Sequence, residues 1–213
     1  MDFKRLLEIV RDEPVFETGL LLAGPVNPAD IRRQLSRWTK SGRILQLRRG
    51  LYALAPPYQK VAPEPFLVAN QLVRASYVSC QSALSYYHLI PEYVPVVTSV
   101  TTLRPGRWDT PLGRFFYQHI KTDWLRGYRL LPLGGNQQAF VATPEKALLD
   151  LVYLWPGGDS PAYLGELRLQ SLDTLNLEEL RRLADLAESP KLRRAAAIIA
   201  DLARSEAEEY TVL

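Results

Sequence analysis

Residues 27–54 restrict the fold of this chain most, because two periodic patterns follow each other there. Asn27 precedes Pro28, which is typical of a helix N-cap followed by proline in the first turn. Apolar residues then recur at helical spacing, at Ile31, Leu35 and Trp38, and define one buried stripe. Gly42 can adopt the left-handed conformation that ends a helix. The sequence therefore predicts a helix over residues 28–41.

A short hairpin is predicted directly after this helix. Residues 44–47 and 51–54 are strand-like, and the turn between them contains Arg48, Arg49 and Gly50. Two further helices are expected earlier, over residues 2–12 and near residues 15–23. The order of helices, turn and basic hairpin predicts a winged helix-turn-helix, a fold that binds DNA.

The polar face of this segment is almost uniformly basic, with Asp30 as its one acid. Residues 1–55 hold ten basic and six acidic residues, whereas the remaining 158 hold sixteen and seventeen. An excess of positive over negative charge that is confined to one module predicts a polyanionic partner, here double-stranded operator DNA. The predicted DNA-binding residues are Arg32, Arg33, Ser36, Arg37, Lys40, Arg43, Arg48 and Arg49.

These residues predict a division of the interface between helix and hairpin. Arg33, Ser36, Arg37 and Lys40 are expected to enter the major groove, while Arg48 and Arg49 follow the backbone or the minor groove. Because repressors of this size commonly occupy palindromes in pairs, two molecules on one inverted repeat are expected.

The rest of the chain predicts a mixed α and β domain with a helical C-terminus, so the fold class is α+β. Prolines 56 and 57 mark a linker, which gives a domain over residues 1–57 and another over 58–213, with its α+β core ending near residue 155. Strands are expected over residues 94–102, 115–120, 128–133 and 137–142, the last completing an antiparallel set, and a short one at Tyr77 and Val78. Helices are expected over residues 64–73, 79–89 (capped by Ser79), 143–155, 161–170, 175–187 and 190–208.

No catalytic, metal or cofactor site is predicted. Cys80 and His88 are eight residues apart on one helix, about 12 Å along its axis, which is too far for a nucleophile and its base. Glu145 and Asp150 lie about 140° apart around their helix and are expected as a first-turn acid and a surface carboxylate. Asp109 is expected in a loop. A metal-dependent nuclease with a DNA-targeting module is the competing class.

A second basic group leaves two interpretations open. It is either scattered surface charge or a supporting contact to the DNA backbone, to RNA or to a nucleotide. The aromatic residues Trp108, Tyr117 and Trp124 lie among these cations and either stack on bases or belong to the core. The basic residues are Arg104, Arg107, Arg114, Lys121, Arg126 and Arg129.

The chain is expected to be soluble, cytoplasmic and independent of membranes. Its N-terminus is charged and amphipathic, unlike a signal peptide, and no apolar run approaches the ~18 residues of a membrane span. The single cysteine excludes an internal disulfide and a cysteine-rich zinc site.

Three ordered motifs within about residues 10–155 resemble the AbiEi-type antitoxins. They are QLSRWTKSGRILQLRRGLYAL, SCQSALSYYHLI and ATPEKALLDLVYL, although the family often has glycine where this chain has His88. The resemblance implies an antitoxin of a type IV toxin–antitoxin system in bacterial antiviral defence. It also implies a repressor of its own operon that binds inverted repeats in the promoter.

The resemblance implies a functional partner as well, a nucleotidyltransferase-like toxin that need not be bound directly. The C-terminal domain would counter this toxin, and no residue of 58–213 is singled out for that role. A plain winged-helix regulator without an antitoxin role is the remaining alternative.

Overall fold

A computed structural model describes the backbone of residues 1–211 and the side chains of residues 1–208, and it has an α+β fold. The predicted second domain therefore ends two residues beyond the described chain. The N-terminal elements are α1 (Phe3–Val10), β1 (Phe16–Glu17), α2 (Pro28–Lys40), β2 (Ile44–Arg48) and β3 (Leu51–Leu54). The elements that follow are α3 (Pro65–Leu72), β4 (Ser76–Val78), α4 (Cys80–Tyr86), β5 (Val96–Thr101), β6 (Gly106–Thr110), β7 (Gly113–His119), β8 (Tyr128–Pro132), β9 (Gln138–Ala142), α5 (Pro144–Leu154), α6 (Pro161–Glu166), α7 (Leu177–Leu186) and α8 (Pro190–Thr211).

The N-terminal elements share a small apolar core. Strands β1, β3 and β2 form an antiparallel sheet in that order, with Phe16 opposite Tyr52. Phe3 of α1 packs edge-on against Trp38 of α2, with ring centroids 5.5 Å apart. The buried members of this core are Leu6, Val10, Phe16, Leu21, Ile31, Leu35, Trp38, Ile44, Tyr52 and Leu54.

The helix predicted over residues 28–41 is confirmed as α2. Asn27 Oδ1 accepts the N–H of Ala29 at 2.8 Å, and Gly42 ends the helix with a φ of +68°. The short helix predicted near residues 15–23 is correct only over Thr18–Leu22, which is a 3-10 helix, because Phe16–Glu17 is strand β1. Pairing of β1 with β3, which lies far along the chain, overrides the local helical pattern there.

The second sheet has six strands in the order β6-β7-β5-β4-β9-β8. The expected antiparallel set holds for β8 and β9, but β4 pairs with β9 and β5 with β7 in parallel, so the sheet is mixed. Turn residues in a sequence predict only antiparallel pairs that are joined by a hairpin. Parallel strands are joined by long crossovers, so their pairing has no such local signal. Asp109 was expected in a loop and instead lies in edge strand β6, opposite Arg114 of β7.

Helices α3, α4 and α5 pack on this second sheet, and α7 and α8 pack on α5. The predicted helices over residues 64–73, 79–89, 143–155, 175–187 and 190–208 are confirmed, with shifted ends. The segment 161–170 is helical only over Pro161–Glu166. Within the described chain, none of the helices is both long and apolar enough to cross a lipid bilayer.

The β2–β3 hairpin belongs to two cores at once. Along β3, Tyr52 and Leu54 pack in the small N-terminal core, whereas Leu51 and Ala53 pack in the large core of the second sheet. Leu47 of β2 also joins the large core. Because successive strand residues point to opposite faces, one hairpin can join both cores. A boundary drawn at residue 57 therefore cuts through a shared core.

Candidate nucleic-acid interface

Helix α2 and the β2–β3 hairpin form the walls of an open cleft of about 660 Å³. Ser36 and Lys40 follow Arg32 at steps of four residues, so all three side chains lie on one side of α2. Gly50 has a φ of +86° and closes the hairpin turn, which projects Arg49 at the tip. The cleft is lined by Thr18, Arg32, Ser36, Thr39, Lys40, Gln46, Arg49, Gly50 and Tyr52.

Four of the predicted residues therefore meet at this cleft: Arg32, Ser36, Lys40 and Arg49. Arg33 and Arg37 are exposed but lie further around α2, beyond Lys40 as seen from the hairpin. Arg33 also pairs with Asp30 at 3.5 Å, an exposed contact of little energy.

The cationic charge of this face is largely uncompensated. Arg32, Arg37, Lys40 and Arg49 are exposed, and no carboxylate of the described residues forms an ion pair with any of them. Arg43 is exposed at the end of α2, with its guanidinium carbon 5.1 Å from the centroid of the Phe3 ring. A concave surface with several unpaired cations attracts a polyanion.

Arg48 differs from the sequence-based expectation of a free cation at the hairpin tip. Its Nη2 donates to Glu17 Oε1 at 3.4 Å and to the Gln71 carbonyl oxygen at 3.3 Å, and its side chain is only 25% exposed. The register of the hairpin shifts between Gln46 and Arg48, and such a bulge redirects a side chain. Arg48 therefore ties the hairpin to α3.

The second basic group is exposed in the loops and strands of the large sheet. The Arg107 guanidinium donates to both carboxylate oxygens of Asp109, at 3.0 and 3.1 Å, so the one acid considered for a nuclease centre is already bound. Tyr117 and Trp124 are buried in the large core, and Trp108 packs against it. The core interpretation of these three aromatic residues is therefore confirmed.

A buried polar network in the second part was missed by the sequence analysis. Asp150 was expected on the surface, yet both Asp150 and Lys146 are 0% exposed and form an ion pair within α5. Asp150 Oδ2 also accepts hydrogen bonds from Ser79 Oγ at 2.7 Å and Tyr77 Oη at 3.1 Å. The spacing of Lys146 and Asp150, one turn apart in an otherwise apolar helix, was the available signal.

One expectation for a neighbouring residue is corrected by this network. Ser79 occupies the N-cap position of α4 but makes no side-chain capping bond, and its hydroxyl donates to Asp150 instead. Glu145 lies in the first turn of α5, as expected; it is buried, and its carboxylate accepts the N–H of Asn176 at 2.8 Å.

Burial shifts the pKa of two groups in and beside this network. Burial lowers the pKa of the Lys146 ammonium, although Asp150 opposes this shift, and burial raises the pKa of the Cys80 thiol. The thiol is therefore protonated at neutral pH and a poor nucleophile. His88 is exposed, whereas Cys80 is buried. Among the described residues, no three His, Cys, Asp or Glu side chains are grouped so that they could hold a metal ion.

The strongest candidate for a functional surface is thus the cationic cleft between α2 and the hairpin. No protein-family model and no curated protein matches this sequence, so a functional assignment has to be argued from its residues and their geometry.

Proposed function

We propose that the N-terminal part of the chain is a winged helix-turn-helix that binds double-stranded DNA, and that the protein is a cytoplasmic transcriptional regulator. The order of helix, short strand, helical turn, second helix and hairpin supports this fold. The observation that carries the proposal is the convergence of Arg32 and Lys40 from α2 with Arg49 from the hairpin on one open cleft, unpaired with any described carboxylate.

In this proposal α2 is the recognition helix. A helix fits the major groove, and side chains on its outer face reach base edges there. Ser36 and Arg37 lie midway along the exposed face of α2 and are the candidates for base contacts. Arg32 and Arg33 lie one turn earlier and Lys40 about one turn later, where they hold phosphates. The exposed Arg49 at the hairpin tip contacts the adjacent DNA backbone or minor groove. Arg48 keeps the hairpin in position.

The fuller proposal is an antitoxin that represses its own toxin–antitoxin operon as a pair on promoter inverted repeats. It is supported by the resemblance to AbiEi-type antitoxins, with a nucleotidyltransferase-like toxin as the functional partner. The first motif spans α2 and the hairpin, whereas the other two span α4 and α5 and contribute Ser79, Lys146 and Asp150 to the buried network.

The DNA-binding claim is tested by fluorescence anisotropy with a labelled duplex from the region upstream of the protein's own gene. Affinity should fall steeply with salt, and Lys40→Ala should flatten the slope by about 0.9 if Lys40 holds one phosphate. Arg181→Ala is the matched control, because Arg181 is exposed on α7 and forms no described ion pair. Salt-independent or undetectable binding of the wild type contradicts the proposal.

The antitoxin claim is tested by expressing the protein from an unrelated promoter together with the toxin encoded beside it. We expect growth to be restored by the wild type and by a Lys40→Ala/Arg49→Ala double variant, because the resemblance assigns neutralisation to the second part. The same double variant should lose repression of a reporter fused to the operon promoter. Continued growth arrest with the wild type contradicts an antitoxin role.

A further inference from the structure

The segment that follows α3 supplies a cation to strand β1 from outside the N-terminal part. Arg74 follows α3, and its Nη2 contacts Glu17 Oε1 at 2.9 Å. The same oxygen accepts from Arg48 Nη2 at 3.4 Å. Glu17 is therefore shared by one arginine of the hairpin and one arginine of the second part.

This shared carboxylate lies near the hairpin turn, on the face of the sheet opposite to the cationic cleft. Glu17 pairs with Leu51 at the start of β3, whose side chain packs in the large core on that face. The next residue, Thr18, lines the cationic cleft, and its N–H donates to the Gly50 carbonyl oxygen at 2.9 Å. Arg74 is thus held within contact distance of the segment that packs against the hairpin turn.

The two arginines on Glu17 differ in exposure. The Arg74 side chain is 72% exposed, whereas the Arg48 side chain is 25% exposed and also bound to the Gln71 carbonyl. One carboxylate neutralises one of the two guanidinium charges, so the group keeps a net positive charge. The exposed partner, Arg74, is the one that a ligand can reach.

We propose that Arg74 extends the DNA interface into the second part of the chain by binding a backbone phosphate on the face of the hairpin opposite to the cleft, next to the phosphate held by Arg49 at the tip. Glu17 holds Arg74 in place in the free protein and releases it when DNA binds. This inference rests on the proposed function, because it names an additional contact of the same hairpin. The occupant is fixed by charge complementarity, since Arg49 at the adjacent tip is unpaired among the described residues.

The inference predicts opposite effects for the two members of one ion pair. Arg74→Ala removes a phosphate contact, so it should weaken DNA binding and flatten the salt slope by about 0.9. Glu17→Gln removes a competitor for Arg74 and a negative charge near the phosphates, so it should tighten binding roughly two- to fivefold. If Arg74 served only to join the two parts, Arg74→Ala would keep the wild-type salt slope, because no phosphate contact would be lost.

The experiment is a salt titration of the full chain on a labelled random-sequence duplex, with the melting temperature of each variant measured in parallel. The set is wild type, Arg49→Ala, Arg74→Ala, Arg74→Lys, Glu17→Gln and the matched control Arg181→Ala. Arg74→Lys keeps a point charge and should keep the wild-type slope, so it reports on the contact even where Arg74→Ala is unstable.

The outcomes separate this inference from the proposed function. A flattened salt slope for Arg74→Ala, together with opposite shifts in affinity for Arg74→Ala and Glu17→Gln and an unchanged Arg181→Ala, supports a phosphate contact. A wild-type slope for Arg74→Ala, or shifts of the same sign for both variants, overturns the inference while Arg49→Ala still reports on the hairpin. A wild type that shows no salt-dependent binding overturns the proposed function itself.

Discussion

Arg48 and Arg49 are adjacent in the sequence but have different surroundings. Arg48 is largely covered and donates to Glu17 and to the Gln71 carbonyl, whereas Arg49 is exposed at the cleft and forms no described ion pair. A buried guanidinium contributes to stability through its hydrogen bonds, and an exposed one is free to meet a phosphate. The proposal therefore assigns stability of the fold to Arg48 and DNA binding to Arg49.

Exchanging each of them for alanine should separate these two properties. Arg48→Ala should lower the free energy of unfolding by about 1–2 kcal/mol, because three hydrogen bonds are lost and Glu17 loses one partner. Arg49→Ala should leave stability unchanged and flatten the salt slope of DNA binding by about 0.9. Urea unfolding and anisotropy titrations measure the two effects. A flattened slope for a fully folded Arg48→Ala would contradict this assignment.

Lys146 and Asp150 show how a buried charge pair depends on both members. Lys146→Ala leaves the Asp150 carboxylate buried with only the Ser79 and Tyr77 hydroxyls, so it should destabilise the protein by about 3–5 kcal/mol. The double variant Lys146→Met/Asp150→Leu removes both charges and should be less destabilised than Lys146→Ala. Thermal unfolding of the three proteins checks the order. A double variant that is destabilised as much as Lys146→Ala, or more, would contradict this account.

At the scale of elements, α2 combines a buried stripe with a charged outer face. Trp38 is 6% exposed and packs against Phe3, whereas its neighbour Arg37 is exposed and unpaired among the described residues. The helix thus offers two adjacent positions with opposite environments. One position supports the core, and the other is exposed for the proposed contact with DNA.

Substitutions at these neighbouring positions should have complementary effects. Trp38→Ala creates a cavity and should cost about 3–5 kcal/mol of unfolding free energy. Arg37→Ala should leave stability unchanged but cost about 1–3 kcal/mol of binding to the operator, with a smaller loss on random duplex, if it contacts a base. Calorimetry and anisotropy provide the two readouts. A stable Trp38→Ala that no longer binds DNA would show that the outer face of α2 is assigned wrongly.

The elements also show where sequence reasoning succeeds. Asn27, Gly42 and the stripe from Ile31 to Trp38 are local signals, so they predicted α2 closely. Strand β1 depends on β3, which lies far along the chain, whereas β6 pairs with β7 directly after it. Neither strand is indicated by a local period. For the same reason Arg48 was expected at the surface, since its contacts to Glu17 and Gln71 become visible only when α3 meets the hairpin.

At the scale of the whole molecule, the hairpin joins the proposed DNA-binding N-terminal part to the second part of the chain. Leu47, Leu51 and Ala53 pack in the large core, and Arg48 donates to the end of α3. An isolated fragment of residues 1–57 would expose these apolar side chains and lose that hydrogen bond. The two parts are therefore expected to depend on each other for stability, although the cations that line the cleft all lie in the N-terminal part.

This dependence predicts the behaviour of the fragment 1–57. It should unfold at a lower temperature than the full chain and bind operator DNA more weakly, with a smaller salt slope if Arg74 is a contact. Circular dichroism melting and anisotropy with the same duplex measure both properties. A fragment as stable as the full chain would show that the hairpin does not need the large core.

The central claim, that the face formed by α2 and the hairpin binds duplex DNA, is tested most directly by amide hydrogen exchange of the full chain with and without operator duplex. The account predicts slower exchange in residues 28–50 on binding, with a smaller effect around Arg74 and none in α7 or α8. Protection centred on the second sheet or the C-terminal helices, with residues 28–50 unchanged, would contradict it.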